Sequence, residues 1–392
     1  MKNVLADLSL TAVVAGFVAV LVGYTSAVAI VFQATQALGA TPAQTASWMW
    51  ALGLAMGLSS IALSWRTKQP VLTAWSTPGA ALLAATQGIP MAEAIGAFVI
   101  CALLIITAGL TRLFERVMDK VPMAIAAALL AGVLARFGLD AVGAVRSAPG
   151  MVIGMALVFL AGRRGWPRYA VPGTLLGGVL IAALQGRLGL PALQAVDWGW
   201  TRPEAVMPAF SIAALVGVAL PLFIVTMASQ NLPGVAAQRA AGYRVPVSPV
   251  ITATGVATLV FAPFGAFGIN LAAITAAICM SREAHEDPAK RYWAAIAAGV
   301  FYVLLGLAGG AVAGLLAAFP RELVAAVAGL ALIGTIAGGL ATALKDETHR
   351  DAAAITFLVT LSGVSMAGIG SAFWGVVAGS VALAVQHWRP VR

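Results

Sequence analysis

The residues best suited to chemistry in this 392-residue chain are uncharged, and they cluster at breaks in otherwise apolar runs. One break reads Trp75-Ser76-Thr77-Pro78-Gly79 and another reads Phe267-Gly268-Ile269-Asn270. A third, Ser229-Gln230-Asn231, runs into Pro233-Gly234, which is expected to end its helix. Tyr24, Thr25, Ser26, Gln33 and Gln36 decorate the first apolar segment. A lone hydroxyl in such a segment can bond its own helix carbonyl. The amides of Gln230 and Asn231 are costly to leave unpaired in hydrocarbon, so they point to a cavity or to contacts between helices. An intramembrane hydrolase or a metal-dependent transferase would need carboxylates or histidines in the same places. All fourteen Asp and Glu instead lie at segment ends or in loops, and His285, His349 and His387 fall on one side. The two cysteines, Cys101 and Cys279, sit in apolar segments and read as small buried hydrophobes. No enzyme, metal or cofactor is expected. The chemistry left is recognition: hydroxyls, amides and backbone N–H groups gathered around a small polar ligand.

The elements that position these groups follow from composition. The chain is 61% hydrophobic and 9% charged, against about 25% charged for a soluble domain, so it is an all-α polytopic membrane protein. Fourteen apolar segments can be laid out: 8–33, 42–65, 70–87, 90–112, 121–143, 149–163, 169–186, 208–231, 246–264, 265–281, 292–316, 320–344, 352–369 and 371–388. The first contains a cleavage-like "TSAVA", but it is too long for a signal peptide and is preceded only by Lys2. Alternating sides from a cytoplasmic N-terminus puts 18 of the 23 Lys and Arg inside and 5 outside, as the positive-inside rule requires. That distribution accounts for the net charge of +9 and removes any need for a nucleic-acid partner. It also puts both termini in the cytoplasm. The longest polar gap, 187–207, lies outside, with Trp198 and Trp200 as interfacial anchors. Arg136, four residues before Asp140 at the outer end of segment five, reads as a snorkelling side chain.

Segments three and ten are poor helices. "AWSTPGAALLAA" (74–85) and "AFGINLAAITAA" (266–277) run in register, each an aromatic, a break and a small-residue helix. Seven segments separate them, so the second copy is inverted. Interrupted segments at matching places in two halves mark the binding site of inverted-repeat transporters. Non-helical backbone at this depth survives only inside protein or against a polar cavity. Pro78 suits the first turn of a helix, and Ser76 or Thr77 is a natural cap for it. Both short helices then begin near the midplane with their N-termini facing each other, an arrangement that favours an anion or a strong acceptor between them.

"SQNLPGVA" (229–236), "FGINLAAITAAICMSREAHEDPAKRYWAA" (267–295) and "TAWSTPGAALL" (73–83) resemble the BenE-type benzoate transporters, and the resemblance covers nearly the whole chain. It implies the uracil-permease fold: fourteen segments in two inverted halves of seven, with short strands before the half-helices of segments three and ten. It further implies a core domain (1–120 and 208–316, segments 1–4 and 8–11) moving against a gate domain (121–207 and 317–392, segments 5–7 and 12–14). The implied activity is benzoate uptake with protons across a bacterial inner membrane. The nucleobase branch of that fold carries glutamates in segments eight and ten, where this chain has Ser229 or Gln230 and Ile269. A nucleobase's N–H donors would lose their acceptors, which favours a carboxylate. The same change leaves the proton's carrier open, with the substrate's own carboxyl one candidate.

The expected site therefore places the carboxylate around Ser76, Thr77, Gly268, Ile269 and Asn270. Its ring packs near Trp75 and Phe267, Ser229, Gln230 or Asn231 closes the polar side, and Tyr24 and Gln33 flank the cavity. A nucleobase or inorganic-anion permease of the same fold is the alternative, and a passive anion channel is a further one. Oligomeric state is not legible in the residues. Relatives with this fold often pair through the gate domain, which makes a homodimer the state to test.

Overall fold

Apolar runs deprived of water must satisfy their backbone internally, and helices do so within one segment. In a computed structural model, which describes residues 9–84, 86, 88–118, 122–166, 170–189, 199–308, 319–364, 366 and 371–386, nearly every long apolar run is helical. In chain order these are α1 (Leu10–Ala37), α2 (Pro42–Thr67), α3 (Thr77–Ala84), α4 (Met91–Leu110) and the short α5 (Leu113–Met118). There follow α6 (Met123–Gly143), α7 (Pro149–Gly165), α8 (Ala170–Leu184) and the continuous α9 (Ile212–Ala240). The rest are α10 (Val247–Phe261), α11 (Ile274–Met280), α12 (Tyr292–Leu307), α13 (Arg321–Ala343), α14 (Arg350–Ser362) and α15 (Ser371–Gln386). Among the described residues, seven helices are long and apolar enough to cross a membrane, and three shorter apolar helices accompany them. Trp198, His387 and the segment ends 309–316 and 367–369 lie outside the described residues.

Two short strands interrupt the helices at the expected places. β1 (Thr73–Ala74) precedes α3, and β2 (Asn270–Leu271) precedes α11. They pair antiparallel, Thr73 with Leu271 and Ala74 with Asn270. Two residue pairs cannot satisfy all the extended backbone around them, and side chains of adjacent helices supply the remainder. Ser60 Oγ accepts from Thr73 N–H at 3.0 Å, while Ser64 Oγ accepts from Val71 N–H and donates to Val71 O. On the other strand, Thr258 Oγ1 accepts from Ile269 N–H at 3.0 Å, and Asn231 Oδ1 accepts from Leu271 N–H at 2.9 Å.

The third break differs from expectation. Pro233-Gly234 does not end its helix: α9 runs through it to Ala240. The helix widens instead, with π-turns at Leu215–Ala219 and Met227–Asn231, each followed two residues later by a proline, Pro221 and Pro233. A proline inside a helix lacks an N–H and clashes with the carbonyl four residues back. An i→i+5 turn just ahead absorbs the mismatch without a break. Ser229, Gln230 and Asn231 thus sit within the helix, on a turn that is a residue too wide.

Helices pack closely where glycines remove side chains. A Cβ on Gly53 of α2 would lie 2.5 Å from the Gly306 Cα of α12, so these backbones touch directly. The described part of the long loop, 199–211, lies across helix ends. Thr201 N–H bonds Leu307 O, Val206 N–H bonds Pro263 O, and Ala209 N–H bonds Ala92 O. Trp200 on that loop is exposed.

Candidate functional site

The crossing of β1 and β2 brings together most of the sequence-predicted residues. Ser76 caps α3: its Oγ accepts from Gly79 N–H at 3.1 Å and its carbonyl from Ala80 N–H at 2.8 Å. Thr77 is the first helical residue and Pro78 the second. The first N–H groups of a helix have no partner within it. Because Pro78 has none and Ser76 takes that of Gly79, Thr77 N–H is the donor α3 has left at its tip.

Opposite stands Gly268, in the left-handed region at φ +49°. A Cβ there would lie 2.8 Å from Thr226 Oγ1 and 3.2 Å from Ser76 Cβ, so Ser76, Gly268 and Thr226 meet with no side chain between them. Asn270 Nδ2 donates to Gly268 O at 2.9 Å. That bond fixes which way the amide points, and it leaves Asn270 Oδ1 buried with no partner among the described residues. Thr226 Oγ1 and the Tyr24 hydroxyl are in the same condition. Buried polar atoms are ordinarily paired, so these three unpartnered atoms make the strand crossing the candidate for a ligand site. The centre is closed to solvent: Ser76, Phe267, Ile269 and Asn270 are fully buried.

The aromatic residues divide between two clusters. Trp75 meets Tyr24 edge to face, ring centroids 4.9 Å apart, and Tyr24 lies 5.7 Å from Tyr302. Phe267 packs with Trp48 and Phe98, at 5.6 and 5.8 Å. Ser229 is buried and Gln230 half-buried on the wide turn of α9. Asn231 is spent on holding β2, with Nδ2 against Met227 Sδ at 3.2 Å. Gln33 is exposed, nine residues beyond Tyr24 on α1 and so about 13 Å along its axis; it is not brought to the centre. The side chains of Thr25 and Ser26 lie outside those described.

Thr226, Thr258, Ser60 and Ser64 are site-building residues that the sequence did not single out. A signal existed for some of them. Ser60 and Ser64, and likewise Thr254 and Thr258, stand four apart, which puts each pair on one helix face. Hydroxyl pairs of that spacing beside an interrupted segment can serve as a surrogate strand edge.

A family model described as "Benzoate membrane transport protein" (BenE) matches residues 6–385. "Inner membrane protein YdcO" of Escherichia coli (strain K12) is 50% identical over 374 residues, covering 95% of each chain. The "Benzoate membrane transport protein" of Acinetobacter baylyi is 40% identical over 383 residues, covering 97% of this chain and 96% of that one. Among solved structures, murine Slc26a9, an anion transporter in the inward-facing state, matches with a TM-score of 0.52 at 11% identity, over 98% of this chain and 68% of that one. A second structure, of SLC26A9, matches at 0.50 and 12% identity, over 98% of this chain and 66% of that one. At such identities the likeness is one of fold alone. The family, by contrast, is established over almost the full length: the chain belongs to the BenE benzoate membrane transport proteins.

Proposed function

We propose that the protein imports benzoate, or a closely related aromatic carboxylate, together with a proton, across a bacterial inner membrane. The observation that carries this reading is the orphaned, buried Asn270 Oδ1 beside Gly268, which itself packs against Ser76 at the start of α3. The centre thus offers an unpartnered acceptor and, on α3, an unpartnered donor, and a carboxylic acid in its protonated form offers the complementary pair. Its carbonyl oxygen accepts from Thr77 N–H, where the helix terminus also favours a partial negative charge. Its O–H donates to Asn270 Oδ1. Thr226 and Tyr24 supply further hydroxyls, and the ring lies toward Trp75 and, after repacking, Phe267. Ser229 and Gln230 close the polar side, and Gly268 and Ile269 give the close backbone wall. The substrate then carries its own proton, which fits a centre that has no carboxylate or histidine among these residues.

Transport proceeds by alternating access. A core domain (1–120 and 208–316) carries both strands and moves against a gate domain (121–207 and 317–392). The fourteen segments form two inverted halves of seven, both termini are cytoplasmic, and two copies pair through the gate domain. The family match and the Slc26a9-like fold support membrane transport by this chain. The charge count and the antiparallel crossing of two interrupted segments support the inverted arrangement.

The deciding experiment is uptake of labelled benzoate, uracil and sulfate into proteoliposomes, with and without an imposed pH gradient. Benzoate should accumulate, saturably and only when the gradient is inward. Uracil accumulation without benzoate would transfer the protein to the nucleobase reading. Non-saturating flux indifferent to the gradient would make it a channel.

A further inference from the structure

A polar cavity opens against α11, and no step described so far uses it. It holds about 400 Å³ and lies where the ends of α9 and α11 and the loop 281–291 face α6, α7 and α13. That is ample for one aromatic carboxylate, since ligand pockets run from about 300 Å³ upward. Its inner wall reaches Ala277, three residues into α11 and so about 4.5 Å from where that helix begins after β2.

The cavity is lined by three guanidinium groups, Arg163, Arg282 and Arg291, and one carboxylate, Glu283. Arg291 is a fixed part of the wall: it donates to Met280 O at 2.9 Å and His285 O at 2.8 Å, which ties the loop to the end of α11. Arg163 is held differently. It comes from α7 and meets Glu283 across the cavity at 3.8 Å, with 43% of its side chain exposed. A charge-assisted hydrogen bond would be about 2.7–2.9 Å, and an exposed pair this long is weak. Gly334 of α13 leaves the space beside it open, since a Cβ there would lie 3.6 Å from both Arg163 Nη1 and Glu283 Oε1.

We propose that this cavity is a second anion-binding position for the transported carboxylate, at which the substrate displaces Glu283 from Arg163. The inference rests on the functional reading above and extends it to the route between the closed centre and the surface. Glu283 occupies Arg163 when no substrate is present. Benzoate that reaches the cavity in its ionised form exchanges with it and gains the bidentate geometry that guanidinium offers a carboxylate. Because Arg163 belongs to α7 and Glu283 to the loop after α11, the exchange also loosens one tie between those two parts of the molecule.

The test measures saturable benzoate uptake in right-side-out and inverted membrane vesicles, which present the substrate to opposite faces. Arg163→Gln should raise the half-saturating concentration about tenfold at the face carrying the loop 281–291, the loss expected for one charged hydrogen-bonding partner. At the other face it should change little, and Arg163→Lys should recover part of the loss. Glu283→Gln should lower the half-saturating concentration at the loop face, because Arg163 is then unoccupied. Unchanged values in both variants, or an equal rise at both faces, overturn the proposal. If Arg163→Gln does not fold, judged by its melting temperature in detergent, the direction of the Glu283→Gln shift decides alone. A wild type with no saturable benzoate uptake at either face overturns the functional reading, and this site with it.

Discussion

In the proposed site, Asn270 is the side chain on which recognition turns. Its amide cannot be rotated to satisfy Oδ1 without breaking the bond from Nδ2 to Gly268 O. Asn270→Ala should therefore lower benzoate uptake by about tenfold, the worth of one lost hydrogen bond to substrate, and, because it strands the buried Gly268 O, also lower the melting temperature. Unaltered transport would remove Asn270 from the site. Gly268→Val should abolish uptake, because it puts a branched side chain at φ +49° and against Thr226 Oγ1. Asn231→Leu should act mainly on stability. It strands the buried N–H of Leu271, which costs about 1–3 kcal/mol of stability and is readable as a lower melting temperature in detergent. The contrast between these residues also explains what could be read in advance. Ser76 as a cap was legible because its partner, Gly79, is three residues away. The duty of Asn231 was not, because its partner lies forty residues on, and no local pattern distinguishes an amide that binds ligand from one that binds backbone. Gln33 was misjudged for the same reason: a polar residue on an apolar segment looks alike whether it faces a cavity or the exposed end of a helix.

Among the elements, the strand–half-helix units were legible and the shape of α9 was not. A cap followed by Pro-Gly gives the start of α3 a local chemical signature; α11 has no such cap, and its place was legible only from the break at Gly268–Asn270 and its register with the first unit. Pro233 carries an equally strong signature for a helix end, yet the wide turn at Met227–Asn231 overrides it. A π-turn differs from an α-turn by one residue of slack, and that slack depends on what the widened turn can grip, here the Leu271 N–H of a strand from elsewhere. Pro233→Ala restores the missing N–H and removes the reason for the slack. The turn should then relax toward an ordinary helix and draw Asn231 off β2, so uptake falls while the helix itself is no less stable. A decrease in transport is the expected reading, with the regained helix bond offsetting the stranded Leu271 N–H in the melting temperature; unchanged transport would show the wide turn to be incidental. Close packing gives a simpler case. Gly53→Leu forces α2 away from α12, where backbones already touch, and overpacking of this kind costs about 1–3 kcal/mol.

For the whole molecule, composition and the placement of basic residues were enough to read a many-spanning membrane protein, because both are averages over the chain and no single contact can overturn them. The partition of helices around the crossing is a different matter, since contacts between distant segments leave no composition behind. The paired strands carry one more implication, for how the protein is made. β1 and β2 meet across almost half the chain. At ordinary rates of synthesis, about 5–20 residues per second, β1 waits roughly ten to forty seconds in the nascent chain before its partner leaves the ribosome. During that interval the hydroxyls of Ser60 and Ser64, already present on α2, are available to its backbone. The expectation is that these serines hold it during insertion as well as in the finished protein. Replacing both with alanine should reduce the yield of inserted protein more than it reduces the stability of the molecules that complete folding.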